Sequence, residues 1–310
     1  MKIIFYSPAF YTGGMENAVY NLAGLLSKEP DTEILIVYEQ ARTEKTEKML
    51  NKLNTVGKVV ASFEKKFECD VLINCSRKEF DLPFIKTKRT IHWFSSCLVR
   101  NQNRIQIGSK IISQSRWHQE ELHKIGINSH IIGNPLNVKQ IKKKADEERV
   151  SFQVPEGCRV YLIVARISGE KGFQRAIEFM QLRKTENSKL VIIGEVTSDY
   201  NEPIRQGIIR LLGNRAILLG EKDNPYPYIK KADFICCFSN HEIYGLVSEE
   251  AHILGKRVIF NHYETARDQF IEGFDYWIEE PIVERKNEIP KKYEEQNETR
   301  YQEWKKVIWA

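Results

Sequence analysis

The chain has 310 residues, of which 42% are hydrophobic and 29% charged. That length exceeds what one compact domain usually needs, so two domains are expected. The sequence has no uncharged apolar run of about 18 residues, the length that a membrane-spanning helix requires. The start MKIIFYSPAF is typical of a strand entering a turn rather than of a signal peptide, so we expect a cytosolic protein. None of the six cysteines forms a C-x-x-C pair, which argues against a zinc site or a disulfide framework.

The positive charge is unevenly distributed. Residues 1–150 carry 24 Lys and Arg against 17 Asp and Glu, whereas the remainder carries 23 against 25. One interpretation is an anionic partner, either the inner face of a membrane or a phosphorylated acceptor. The other is an ordinary solvated surface, since segments such as RTEKTEKMLNK mix both signs. Both stay open, and no nucleic-acid partner is expected.

Short β-branched runs alternate with longer amphipathic stretches along the first half of the chain. They lie at residues 2–7, 33–38, 70–75, 90–94, 110–115 and 130–134. A charged stretch ending near Pro155 and Gly157 interrupts the pattern, which resumes at residues 160–165, 189–194, 216–220, 233–238 and 256–260. Strands that alternate with helices predict parallel sheets, so we expect two α/β domains over residues 1–145 and 146–290.

The tail after Pro290 predicts a last helix over residues 291–310. Tyr301, Trp304, Val307 and Ile308 recur at helical spacing, so this apolar stripe is expected to pack on a domain. A membrane-surface role for Trp304 and Trp309 is the alternative.

The stretch SNHEIYGLVSEEAHILG follows the apolar run DFICCF, which predicts a buried strand, a loop and a helix that ends at Gly255. Ligands of open α/β sheets bind at the carboxyl ends of the strands. The helix should begin near Gly245, Leu246 and Val247, whose backbone N–H groups can hold a phosphate, with glycine allowing close approach.

Two acids flank that glycine. Glu250, about one turn into the helix, can accept both hydrogens of a ribose diol, and Glu242, before it, can reach a second polyol. Hydroxyls at both ends with phosphate between them describe a nucleotide sugar. For either acid alone, a solvated surface carboxylate is the simpler interpretation.

The whole string resembles the Glu-x7-Glu signature of retaining glycosyltransferases of family 4, within the glycosyl transferases group 1. YSPAFYTGGMENAVYNLAGLL, VARISGEKGFQRAIEFM, KLVIIGE and AILLGEKDN are similar to further segments of that family. The resemblance implies the GT-B fold, with two Rossmann-like domains facing each other across a cleft and the last helix packing back on the N-terminal domain. It also implies transfer of a hexosyl unit from a nucleotide diphosphate sugar, most simply a UDP sugar, to a lipid-linked or polymeric glycan.

The same resemblance assigns site residues. Arg166 and Lys171 would converge on the diphosphate, and His92, at the end of TIHWF, would support the sugar, although a structural histidine is the alternative. The remaining donor-binding positions that it implies are Gly13, Gly14, Asn134, Gly194 and Tyr244.

No Asp-x-Asp sequence occurs, so we expect transfer without a metal ion or cofactor. One segment departs from the family: after KRVIF, NHYETARDQFIEGF lacks the usual threonine and Gly-Gly arrangement. Two alternatives follow, a non-catalytic scaffold subunit of a partner transferase and, less favoured, an epimerase or phosphorylase of the same architecture.

Overall fold

The computed structural model describes residues 1–10, 13–39, 44–62, 65–76, 82–93, 109–147, 150, 152–196, 198–283, 285 and 292–310. The chain divides into two compact units, the first formed by Met1–Asn137 with Glu295–Ala310 and the second by Val138–Glu294. On these bounds the first unit carries 22 Lys and Arg against 17 Asp and Glu, and the second carries 25 of each. The net positive charge of the chain therefore belongs to the first unit.

The first unit is built on a parallel sheet. Its described strands are β1 (Lys2–Tyr6), β2 (Glu33–Tyr38), β3 (Lys58–Ala61), β4 (Phe67–Asn74), β5 (Ile85–Trp93), β6 (Lys110–Ser113) and β7 (His130–Ile131). Its described helices are α1 (Gly14–Leu26), α2 (Glu44–Leu53), α3 (Arg116–Lys124) and, from the end of the chain, α10 (Lys292–Trp309). The strand order is β3-β2-β1-β4-β5-β6-β7. The order reverses at β1, which makes the carboxyl end of that strand the expected ligand edge.

The second unit repeats this architecture. Its described strands are β8 (Arg159–Val164), β9 (Ser188–Ile193), β10 (Ala216–Leu218), β11 (Phe234–Cys237), β12 (Arg257–Phe260) and β13 (Tyr276–Trp277). Its described helices are α4 (Val138–Asp146), α5 (Phe173–Leu182), α6 (Glu202–Leu212), α7 (Tyr226–Lys231), α8 (Leu246–Ile253) and α9 (Ala266–Gln269). The strands are parallel in the order β10-β9-β8-β11-β12-β13, which reverses at β8.

Alternation along the strands explains why helices cover both faces of the second sheet. Tyr161 and Ile163 of β8 pack with α5 and α6 on one face, and Val160 and Leu162 pack with α7 and α8 on the other. Successive side chains of a strand point to opposite faces, so a strand that is apolar throughout must be buried on both. The two parallel-sheet, Rossmann-like units that the sequence predicts are confirmed.

Helix α10 packs on the first unit, as predicted. Trp304 is fully buried, with its ring 4.7 Å from that of Trp93 and its indole N–H donating to the Gly133 carbonyl. The Asn297 amide bonds both the N–H and the C=O of Leu136, at 2.9 and 2.6 Å. Trp304 is therefore a core residue. None of the helices in the described ranges combines the length and the apolar character needed to cross a bilayer.

Replacing Trp304 by alanine is expected to lower the free energy of unfolding by about 3–5 kcal/mol, because it empties a buried indole site. Trp309 lies on the same helix and is 42% exposed, so Trp309→Ala is the matched control, expected to cost only about 1 kcal/mol. Urea unfolding measures both. Equal losses for the two variants would contradict this packing of α10.

Candidate active site in the second unit

Most of the predicted site residues of the second unit lie in loops that leave the carboxyl ends of its parallel strands. Arg166 and Lys171 follow β8, Gly194 follows β9, and Glu242 and Tyr244 follow β11. Because β8 pairs with both β9 and β11, these loops emerge next to one another. This is the edge where the strand order reverses and where ligands of such sheets bind.

Lys171 and Glu242 are in direct contact. The Lys171 ammonium lies 2.5 Å from Glu242 Oε1, and the Ser239 hydroxyl donates to the same oxygen at 2.9 Å. The side chains of Lys171 and Glu242 are only 19% and 24% exposed. An ammonium has three donors, so this pair leaves Lys171 able to bond a further anion. The sequence assigns this cation and this acid to different parts of a ligand, and in the structure they form an ion pair.

Arg166 does not join this pair. Its guanidinium lies 3.2 Å from Glu170, and both side chains are more than half exposed. Exposed pairs four residues apart stabilise a protein by only about 0–1 kcal/mol, so a ligand can redirect Arg166 at little cost. In this structure each cation has its own acidic partner, and the convergence of Arg166 and Lys171 on a diphosphate stays a prediction.

The loop after β8 packs tightly against the loop after β11. Gly172 has a φ of +69°, and a Cβ built on it would lie 1.8 Å from the Phe238 carbonyl oxygen. The Asn240 N–H donates to the Glu170 carbonyl at 2.8 Å, and its side-chain amide donates to the Gly169 carbonyl. A side chain at Gly172 would separate the two loops and thereby Lys171 from Glu242. The sequence motif contains this glycine, but spacing alone assigns it no role.

Helix α8 begins directly after Gly245, as predicted, but the reason for that glycine differs. The Gly245 N–H donates to Gln269 Oε1 at 3.2 Å, and the Gln269 amide donates back to the Gly245 carbonyl at 2.8 Å. A Cβ on Gly245 would lie 2.8 Å from Gln269 Oε1 and 3.0 Å from the Ser248 hydroxyl. The glycine thus makes room for these side chains, and its N–H is already bonded.

The next two amides of α8 remain as anion donors. The N–H groups of Leu246 and Val247 have no acceptor among the described residues, as expected for the first turn of a helix. The partial positive charge of a helix N-terminus adds to their attraction for an anion. Of the three amides predicted to hold a phosphate, these two are available.

Glu250 lies on the buried side of α8. It is 7% exposed, and its Oε1 accepts a hydrogen bond from the Tyr226 hydroxyl at 3.1 Å. Tyr226 begins α7, just beyond the loop that leaves β10, so this contact joins α7 to α8. A carboxylate already oriented by one hydroxyl is suited to accept hydrogen bonds from others.

Gly194 has a packing role. Its φ is +146°, and a Cβ there would lie 1.9 Å from the Ala165 carbonyl oxygen, while its N–H donates to the Gly220 carbonyl. Its glycine identity therefore follows from the close approach of the loops after β8, β9 and β10.

Tyr244, in the loop after β11, is half-buried.

The candidate residues of the first unit occupy the carboxyl edge of its own sheet. Gly13 precedes α1 and Gly14 begins it, but a Cβ on Gly13 would lie 2.7 Å from the Glu16 carboxylate. A negative charge thus already lies at this helix end, which favours a sugar hydroxyl over a phosphate as the part of the donor that binds there. Asn134, after β7, is 3% exposed, and its Oδ1 has no hydrogen-bond partner within the described ranges.

His92 is fully buried near the end of β5, between Asn74 of β4 and Ile111 of β6 in register. Burial lowers its pKa to about 4, so the imidazole is neutral at pH 7. In this structure it is a core residue, and a role in supporting the sugar stays a prediction.

The buried, neutral state of His92 predicts a pH dependence. In the unfolded chain, histidine is protonated below its ordinary pKa of about 6.5. In the folded chain, His92 is protonated only below about pH 4. The neutral imidazole therefore stabilises the fold above pH 6.5, and this contribution is lost as the pH falls. Between pH 7 and 5 the wild type should lose about 2 kcal/mol more unfolding free energy than His92→Gln. Urea unfolding at both pH values measures the difference, and equal losses would contradict it.

Two parallel-sheet, Rossmann-like units of this kind are the fold of GT-B glycosyltransferases. The family model for glycosyl transferases group 1 matches residues 144–306, more than half of the chain, and the chain belongs to that family. No curated protein sequence gives a significant match.

Solved structures share the fold at low sequence identity. HepE of Anabaena, in complex with UDP-glucose, has a TM-score of 0.72 at 17% identity, over 99% of this chain and 92% of HepE. A variant of S. aureus TarM with UDP, fondaparinux and α-GlcNAc-glycerol has a TM-score of 0.65 at 11% identity, over 100% and 93% of the two chains. WaaB, a lipopolysaccharide outer core galactosyltransferase in its apo form, has 0.60 at 18%, over 88% and 84%.

Proposed function

We propose that the chain is a retaining glycosyltransferase that moves a hexosyl unit from a UDP sugar to a hydroxyl of a lipid-linked or polymeric glycan, without a metal ion. The family supports glycosyl transfer, and the complexes of HepE and TarM with UDP or UDP-glucose favour the uridine nucleotide. The finer assignment to family 4 rests on the Glu-x7-Glu spacing of Glu242 and Glu250.

The observation that carries this proposal is the contact between Lys171 and Glu242 at the ends of neighbouring strands. A transferase must stabilise negative charge on the departing diphosphate while it orients a sugar whose reacting carbon becomes cationic. Lys171, with the free amides of Leu246 and Val247, supplies fixed positive groups for the diphosphate. Glu242 supplies a carboxylate next to them for the sugar hydroxyls, since no described group hydrogen-bonds its Oε2.

The remaining roles are proposed from position. Glu250, oriented by Tyr226, accepts the ribose hydroxyls. Arg166 leaves the weak pair with Glu170 and turns to the diphosphate when the donor binds. Together these groups balance two phosphate charges with two cations and a helix end, so the chemistry needs no metal ion. The absence of an Asp-x-Asp sequence agrees with this proposal.

A donor screen tests the proposal. The purified chain is titrated calorimetrically with UDP, GDP and ADP hexoses in the presence of EDTA, and nucleotide release is followed with and without glycan acceptors. We expect binding of a UDP sugar, release of UDP that depends on acceptor, and a product that keeps the anomeric configuration of the donor. Failure to bind any nucleotide would overturn the proposed donor class. Transfer that stops when metal is chelated would overturn the proposed metal independence.

The acceptor is proposed from charge. The net charge of +5 on the first unit favours an anionic surface or a phosphorylated glycan carrier near it. Flotation with vesicles tests the membrane version, with anionic and neutral lipids compared at low salt and at high salt. We expect recovery with anionic vesicles at low salt only. Equal recovery with both lipids would contradict electrostatic attachment.

A further inference from the structure

The loop that carries Glu242 is bonded to residues 261–269, the first part of the segment NHYETARDQFIEGF that follows β12. We call residues 261–269 the clamp segment. The Asn261 N–H donates to the Cys237 carbonyl at 2.9 Å, and its side-chain amide donates to the Ser239 carbonyl at 2.8 Å. These bonds attach the start of the clamp segment to the start of the loop after β11.

Two further residues of the clamp segment bond the functional part of that loop. The Thr265 hydroxyl donates to the backbone carbonyl of Glu242 at 2.8 Å. Gln269 forms a two-point pair with the Gly245 backbone, accepting from its N–H at 3.2 Å and donating to its carbonyl at 2.8 Å. The stretch from Glu242 to Gly245 is therefore held at both ends.

These contacts are buried. Thr265 is 1% exposed and Gln269 is 4% exposed. A buried polar group that loses its partner costs more than the bond itself contributed, because water cannot replace the partner. The clamp segment therefore favours one conformation of the loop strongly over others, before any ligand binds.

Resting on the function proposed above, we propose that Thr265 and Gln269 are positioning residues for transfer. Thr265 fixes the backbone of Glu242, and so the place of its carboxylate beside Lys171. Gln269 fixes the start of α8, and so the direction of the Leu246 and Val247 amides that face the diphosphate. Side chains of the clamp segment thus orient both groups that flank the start of α8.

The two residues should fail in different ways. Thr265→Val removes the hydroxyl at nearly constant volume, and a displaced Glu242 should lower kcat by about ten- to a hundredfold, with the Kd of UDP within about twofold. Thr265→Ser keeps the hydroxyl and should restore kcat. Gln269→Leu should instead raise the Kd of UDP by about tenfold, because the helix amides lose their fixed direction. Gln174→Leu, at an exposed position bonded to Glu178, is the control.

Hydrogen exchange of the Gly245 amide tests the clamp without any substrate. In Gln269→Leu this amide should exchange about tenfold faster than in wild type, and in Gln174→Leu at the wild-type rate. An unchanged rate in Gln269→Leu, or wild-type kcat in Thr265→Val, would overturn the inference. If the wild-type protein binds no nucleotide, the proposed function is wrong. The exchange rate of the Gly245 amide in Gln269→Leu would still test whether Gln269 holds this backbone. Urea unfolding of each variant separates loss of position from loss of fold.

Discussion

Replacing Gly172 by alanine is expected to destabilise the second unit by about 2–4 kcal/mol and to abolish most of its activity. Two costs add at this position. The φ of +69° is one that a residue with a Cβ rarely adopts, and the new Cβ would lie 1.8 Å from the Phe238 carbonyl oxygen. Because that carbonyl belongs to the backbone, the two loops must move apart, and Lys171 moves away from Glu242 with them.

Two other glycines separate these costs. Gly157 has a φ of +70° and no atom within 4 Å of the place where a Cβ would lie, so Gly157→Ala measures the left-handed conformation alone, about 1 kcal/mol. Gly169 has neither a positive φ nor a neighbour within 4 Å, so Gly169→Ala should be nearly neutral. Urea unfolding of the three variants should rank them Gly172, Gly157, Gly169. A Gly172→Ala variant no worse than Gly157→Ala would show that the loops are not in close contact.

Replacing Glu242 by alanine is expected to lower kcat by about 10²–10³, with little change in the Kd of the nucleotide. The variant removes the carboxylate that orients the sugar and leaves Lys171 without its partner. Losses of this size are typical when one preorganised polar group of a transition-state site is removed. Initial rates of UDP release with acceptor, together with calorimetric binding of UDP, measure the two quantities.

Glu250→Ala should show the opposite pattern, because this acid is assigned to the ribose. The Kd of UDP should rise by about tenfold or more, while kcat at saturating donor falls less than in Glu242→Ala. Glu178→Gln serves as a control, since Glu178 is exposed on α5 and accepts a hydrogen bond from Gln174 away from these loops. If both Glu242→Ala and Glu250→Ala keep wild-type transfer rates and UDP affinity, the assignment of this edge is wrong.

Much of the fold follows from the sequence because its signals are local. KIIFY and VYLIVA are apolar on successive residues, which requires a strand buried on both faces, and their alternation with helices leaves a parallel sheet as the solution. The stripe of Tyr301, Trp304 and Ile308 likewise requires a surface to pack on, and the first unit supplies it.

The contacts of the site depend on long-range partners that spacing does not specify. Lys171 and Glu242 are 71 residues apart, and nothing in the sequence states that this lysine meets that acid rather than Glu170. The sequence pattern favours Gly245 as room for a ligand, yet a glutamine 24 residues later occupies that room. The departure after β12 is visible in the sequence, but its hydrogen-bonding role depends on which strand ends lie side by side.

Glycine is the residue type whose roles are hardest to assign from the sequence. Gly194 and Gly245 are both predicted to bind the donor, and in the structure the first also accommodates the Ala165 carbonyl and the second accommodates Gln269 and Ser248. At Gly13 the Glu16 carboxylate lies next to the place that a Cβ would occupy. A glycine in a loop signals close approach of some group, and only the fold shows whether that group is ligand or protein.

A crystal structure of the chain with a bound UDP sugar, grown in EDTA, would show where the diphosphate lies. We expect it within hydrogen-bonding distance of the Lys171 ammonium and the amides of Leu246 and Val247, with the ribose on Glu250. Phosphates bound away from Lys171 and the start of α8 would contradict the proposed site.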